Sequence, residues 1–155
     1  MSFTRGADPS MLVVFDTSVL VAALVEQHPM HDRAFPWLRR AQRGETDARV
    51  TAHSLAELYA VLTTLPVRPR ISPGMARRLV RESVEKNVRV EEILLADYRS
   101  ILDDMAELDL SGGVIYDALA AQVTRRLGAD ALLTFNAKDF QRVWPQAGER
   151  VQEPK

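Results

Sequence analysis

Hydrophobic positions along this chain alternate between two spacings. Met11–Phe15 is an unbroken, β-branched apolar run of the kind found in a strand buried on both faces, and Asp16 ends it. Helical spacing follows through Val19–Leu24, then returns at Ala34, Trp37, Leu38 and Ala41 in an amphipathic helix ending near Gly44. Arg49–Ala52 predicts a brief strand, and Leu55, Leu58, Leu62 and Leu65 a helix halted by Pro66. Pro66, Pro69 and Pro73 make the next segment an irregular loop. Ser72 is placed to cap a helix with Met75, Leu79 and Val84 on its inner face. Val88–Leu94 predicts a third strand, and Leu95–Leu108 a helix with an acid-rich face. After the Ser111-Gly112-Gly113 turn, Ile115, Leu119, Val123 and Leu127 sustain a helix closed by Gly128. Ala131–Phe135 predicts another buried strand, Asp139-Phe140 a last short helix, and Arg150-Val151-Gln152 an edge strand. Short apolar strands alternating with helices predict an α/β fold, a three-layer α/β/α sandwich with a mainly parallel central sheet.

Composition narrows the class. A chain of 155 residues with 46% hydrophobic content fits one domain with a sizeable core, and the absence of cysteine removes disulfides and thiolate zinc sites. Residues 1–10 are polar, with Gly6 and Pro9, and read as a disordered leader or an expression remnant ahead of a folded domain over residues 11–155. The longest apolar run, Val19–Val25, is seven residues, too short for a membrane span, and no cleavage pattern follows it, so a cytoplasmic location is expected. The net charge of −1 speaks against a strongly basic nucleic-acid binder. That total hides segregation: five arginines and no acid lie between Thr63 and Arg81, while seven acids and one arginine lie between Glu91 and Asp109.

In a parallel sheet, ligands bind beyond the carboxyl ends of the strands. Asp16 follows the first strand, Glu57 is expected in the first turn of the helix after the second, and Asn136 and Asp139 follow the Ala131–Phe135 strand. Asp117 falls in the first turn of the helix after the double glycine. Singly, each has a structural explanation: Asp16 or Asn136 as a helix cap, the others as acids offsetting a helix dipole, with Asn136 and Asp139 spaced as a capping box. Together they make a carboxylate cluster that needs a cation, and oxygen ligands suit magnesium or manganese. Such ions assist phosphodiester hydrolysis.

The segments Val13-Val14-Phe15-Asp16-Thr17-Ser18, Ala52-His53-Ser54-Leu55-Ala56-Glu57, Tyr116-Asp117-Ala118-Leu119-Ala120-Ala121 and Leu133-Thr134-Phe135-Asn136-Ala137-Lys138-Asp139-Phe140 resemble the PIN domain, and within it the VapC-type toxins. The resemblance implies a Mg2+- or Mn2+-dependent endoribonuclease, usually a homodimer, acting on RNA and held in check by a cognate antitoxin. It makes Asp16, Glu57 and Asp117 metal ligands. The fourth acid position departs from the family: many members carry Asp where Asn136 stands, so it falls to Asp139, to Asn136 through its carbonyl, or to a water. Thr134 and Ser18 would orient carboxylates or a bound water. An inactive PIN-like module for RNA or protein binding is the alternative, and retention of the three acids favours the enzyme.

Other residues invite attention. His28 and His31 have the spacing of a metal pair, but without cysteine or a second histidine pair a polar turn is the better reading. His53 reads as a helix-start residue, and Trp37 and Trp144 as core or dimer contacts. Seventeen of the 20 basic residues are arginine, whose forks grip phosphate bidentately. Arg68, Arg70, Arg77, Arg78 and Arg81 are therefore candidates for RNA or antitoxin contact. Phosphotransferase and receiver-type sites fit poorly, since Ser18 stands where the former need a second acid. A flavodoxin-like site lacks its glycine-rich phosphate loop.

Overall fold

The computed structural model describes residues 11–155, so the leader expected over residues 1–10 lies outside them. In chain order the elements are β1 (Leu12–Phe15), α1 (Thr17–Leu24), α2 (His31–Gln42), β2 (Asp47–Thr51), α3 (Ala52–Thr64), α4 (Pro73–Leu79), β3 (Arg89–Glu91), α5 (Leu95–Glu107), α6 (Ile115–Leu127), β4 (Ala131–Leu133), α7 (Ala137–Val143) and β5 (Val151–Gln152). A π-helical turn, Val80–Glu85, continues α4, and 3-10 turns at Gly112–Val114 and Pro145–Arg150 lead into α6 and β5. Among the described residues no helix is long and apolar enough to cross a membrane.

The five strands run parallel in the order β3-β2-β1-β4-β5. The chain builds outward from β1 through β2 to β3, then returns to β4 on the other flank of β1. Strand order therefore reverses at β1, and a crevice opens between the carboxyl ends of β1 and β4. The pleat sorts side chains into two cores. Val13, Phe15 and Leu133 join Leu20 of α1, Leu38 of α2 and Leu58 and Leu62 of α3. Val14 and Leu132 join Ile101 of α5, Leu119 of α6, Phe140 of α7 and Trp144. Helices thus cover both faces, as the alternation predicts.

Local hydrogen bonds decide where the elements stop. The Val88 N–H is still bound to Val84 O at 2.8 Å, and the Leu94 N–H is taken by Asp97 Oδ2 at 2.9 Å, which trims the predicted Val88–Leu94 strand to β3. Thr51 Oγ1 accepts the Ser54 N–H at 3.1 Å and draws Ala52 into α3. Thr134 Oγ1 accepts the Asn136 N–H at 2.9 Å, bending the chain after Leu133 so that Thr134 and Phe135 leave the strand. Ser72 caps α4 through the Met75 N–H at 3.1 Å, and Gly128, at φ 62°, closes α6 in the left-handed region.

Two side-chain placements differ from the pattern. Met75 is 46% exposed, and the inner face of α4 and its π turn is Ala76, Val80 and Val84. Ala76 is too small to mark the face in a hydropathy pattern. On α5, Asp97 is 2% exposed, its carboxylate held by Arg126 Nη2 at 3.0 Å and Nε at 3.0 Å, so the expected acidic face includes a buried carboxylate bound by an exposed arginine.

Candidate active site

β1 delivers Asp16 to the reversal point. It occupies the N-cap position of α1, yet its side chain makes no cap hydrogen bond. Oδ2 instead accepts from Ser18 Oγ at 2.7 Å and from Thr134 Oγ1 at 2.8 Å. Ser18 Oγ also accepts the Phe135 N–H at 3.0 Å. These bonds tie α1 to the segment after β4 and leave Oδ1 of Asp16 without a partner among the described residues.

Glu57 stands one turn deeper in α3 than expected, because α3 begins at Ala52. Thr17 Oγ1 donates to Glu57 Oε1 at 2.9 Å, fixing the carboxylate against α1. His53, one turn earlier, lies with Nε2 3.7 Å from the same oxygen. The His53 ring stacks on Tyr116, with centroids 5.3 Å apart and planes 5° apart, joining the start of α3 to the start of α6.

Asp117 sits in the first turn of α6. Burial, then the charges of Asp16, Asp139 and Glu57, push its carboxyl up to about 7. Among the described residues no hydrogen bond or cation offsets that pressure. Asp16, Ser18, His28, Glu57, Asp117 and Asn136 line one cleft of about 420 Å³. Thr134 supports it from beneath at 0% exposure.

Asp139 is outside the cleft lining, exposed, with Oδ1 3.6 Å from Arg142 Nη1, though its charge still reaches Asp117. Asn136 occupies the N-cap position of α7 but makes no side-chain cap bond, so the capping box with Asp139 does not form. Arg68, Arg70, Arg77, Arg78 and Arg81 are exposed, and none lines the cleft. Arg77 is paired with Glu85 at 2.9 Å. His28 and His31 are fixed by separate backbone groups, as a polar turn requires. Trp144 is 2% exposed in the core, and Trp37 packs at the edge of the other core under Arg40. Thr17 escaped sequence reasoning. Its signal was present in the Asp16-Thr17-Ser18 run, where every side chain carries an oxygen.

With the side chains as they stand, no three acids or histidines among the described residues close around a common point. The donor set is nonetheless all oxygen, with one carboxylate oxygen each of Asp16 and Glu57 left over and Asp117 destabilised as an anion. That chemistry fits a hard divalent cation.

The profile of the PIN domain family matches residues 13–144, which span every one of these side chains. The chain belongs to the PIN domain family. Ribonuclease VapC40 of Mycobacterium tuberculosis is 34% identical to this PIN domain over 121 residues, covering 78% of this chain and 84% of that protein. Among solved structures, VapC20 of Mycobacterium tuberculosis, a sarcin-ricin loop cleaving toxin, has a TM-score of 0.59 at 21% identity, covering 77% of this chain and 86% of that one. VapBC2 from Rickettsia felis, bound to a promoter DNA fragment, has a TM-score of 0.65 at 16% identity, covering 94% of this chain and all of that one (100%). This PIN domain is of the VapC type.

Proposed function

We propose that this VapC-type endoribonuclease toxin hydrolyses RNA phosphodiester bonds with Mg2+ or Mn2+ held by Asp16, Glu57 and Asp117. Asp139, or Asn136 through its carbonyl, completes the set. The observation that carries this reading is the convergence of Asp16, Glu57 and Asp117 in one cleft, with Asp117 pushed up to about 7. When bound, the ion supplies a Lewis acid for the phosphate and lowers the pKa of an attacking water. The chain's own residues prepare for it. Ser18 and Thr134 aim Asp16, and Thr17 aims Glu57. The inactive-module alternative has no observation in its favour.

The partners follow from the same reading: an RNA substrate, a cognate antitoxin and a second copy of the chain, in the cytoplasm. Leu95, Tyr98 and Leu102 form an apolar stripe on α5, 64%, 43% and 56% exposed, which supports a homodimer. The test is incubation of the purified chain with total RNA in Mg2+ or Mn2+, followed by end-group analysis. Products with 5′-phosphate and 3′-hydroxyl ends, abolished by EDTA, are expected. A 2′,3′-cyclic phosphate product, or cleavage untouched by EDTA, would contradict the reading.

A further inference from the structure

His28 lies between α1 and α2 and lines the same cleft as Asp16, Glu57 and Asp117. Its Nδ1 accepts the Met30 backbone N–H at 3.0 Å. A ring nitrogen that accepts carries no hydrogen, so the neutral imidazole is protonated at Nε2. Among the described residues Nε2 has no hydrogen-bond partner, and since no buried side-chain nitrogen or oxygen there lacks one, it is open to solvent. His31 has the opposite arrangement: its Nδ1 lies 2.9 Å from the Ala22 carbonyl, which it can meet only as a donor, and its ring stacks on Phe35. The two histidines therefore carry different tautomers. A ring protonated at Nε2 offers a hydrogen there rather than a lone pair for a metal.

The surroundings give that N–H a purpose. Among the described residues no lysine or arginine lines the cleft, and its hydroxyls are spent: Thr17 on Glu57, Ser18 on Asp16. A polyanion entering a wall of carboxylates needs donors, and a hydrogen bond to a charged oxygen is stronger than one between neutral groups. Among the described residues the Asn136 amide is the other side-chain donor of the lining with no partner, and its carbonyl is the candidate for the fourth ligand position.

We propose that His28 is a substrate-binding residue whose Nε2–H donates to a non-bridging oxygen of an RNA phosphate beside the scissile one. The proposal rests on the reading of the site as RNA-cleaving and adds how the strand is held in it. It requires the neutral ring, so it draws nothing from histidine charge.

The test uses the full chain, freed of antitoxin, and an RNA oligonucleotide spanning a site the wild type cuts, carrying one methylphosphonate at each phosphate in turn. His28→Asn keeps an acceptor for the Met30 N–H, preserving the turn, but is too short to reach where Nε2 stands. His28→Gln reaches it. Circular dichroism verifies that both are folded. His28→Asn is expected to raise KM about tenfold with kcat little changed, and His28→Gln to recover most of the loss. One methylphosphonate is expected to raise the wild-type KM about tenfold while leaving His28→Asn unaffected. Equal penalties in wild type and His28→Asn at every phosphate, or a loss confined to kcat, would overturn the proposal. A wild-type chain that cuts no RNA would overturn the functional reading beneath it, so the two failures are distinguishable.

Discussion

The Thr134 hydroxyl donates to Oδ2 of Asp16 at 2.8 Å, bridging the carboxyl ends of β4 and β1 where the strand order reverses. Its own acceptor lone pair takes the Asn136 N–H at 2.9 Å, so the loop after β4 orients the hydroxyl that orients the acid. Asp16 thereby has one oxygen committed to the protein and one without a hydrogen-bond partner among the described residues.

Thr134→Val removes that bond from a fully buried position and leaves the Asn136 N–H without its acceptor. A stability loss of about 1–3 kcal/mol in urea unfolding is expected. RNA cleavage should fall about tenfold or more, as it does when groups supporting a metal ligand are lost. Thr134→Ser should retain both properties. A valine variant cutting at the wild-type rate would show that Asp16 needs no such anchor.

Asp117 makes the metal-free protein pH-sensitive. Its carboxyl is raised from the ordinary 3.8 to about 7, so between those values the folded state binds more protons than the unfolded state. Stability from this group is therefore present at low pH and is lost as pH rises towards 7. Thermal unfolding in EDTA should show this decline between pH 5 and 7.5 in wild type, and a flatter profile in Asp117→Asn. Added Mg2+ should stabilise wild type more at pH 7.5 than at pH 5.5, because the ion competes with the proton. The same response to Mg2+ in both proteins would place the binding elsewhere.

The ion pair that the buried Asp97 makes with the exposed Arg126 acts in the opposite sense. Burial raises Asp97, but hydrogen bonds from Arg126, the Leu94 N–H and Gln122 outweigh it and hold the carboxyl below its usual 3.8. Stability from Asp97 is present above the unfolded value and lost as pH falls through the folded one. Arg126→Met leaves the buried acid with only the Leu94 N–H and Gln122 and should cost about 1–3 kcal/mol at pH 7, with the penalty shrinking towards pH 3. Guanidinium unfolding at the two pH values checks this. An equal penalty at both would mean that packing, not charge, is what Arg126 supplies.

Arg77 is already paired with Glu85, whereas Arg78 and Arg81 have no ion pair within 4.0 Å among the described residues. If this stripe meets RNA, Arg78→Gln and Arg81→Gln should each reduce the salt slope of RNA binding by about 0.7, and Arg77→Gln by less. Filter binding across a salt series measures the slopes. Unchanged RNA slopes combined with weakened antitoxin binding would assign the stripe to the protein partner.

Much of this architecture is legible in the chain because it rests on strong periodicities. Val13 and Phe15 against Val14 declare a strand with two covered faces, and Ile115, Leu119, Val123 and Leu127 declare α6 to the residue. Asp16 is legible because it follows a strand and Asp117 because it opens a helix, whereas Glu57 lies a turn deeper in α3 than the pattern places it. What escapes is long-range or phase-dependent. The buried Asp97 becomes internal only when Arg126 arrives from 29 residues away, and Thr17 gains its role only when Glu57 arrives from 40 residues away. The π turn after α4 and the small Ala76 shift the buried face off Met75. Local hydrogen bonds from the Val88, Leu94 and Asn136 N–H groups, the last two to side chains, shorten strands that hydropathy alone extends.

The central claim, that Asp16, Glu57 and Asp117 act as one RNA-cutting centre, is tested most directly by a side-by-side cleavage assay. Wild type, Asp16→Asn and Asp117→Asn would be incubated with the same RNA in Mn2+, with unfolding curves confirming that all three are native. Each substitution is expected to lower the initial rate by more than about 100-fold, since each removes a charge that the ion requires. Variants that cut within a few-fold of wild type would show that the chemistry lies outside this cleft.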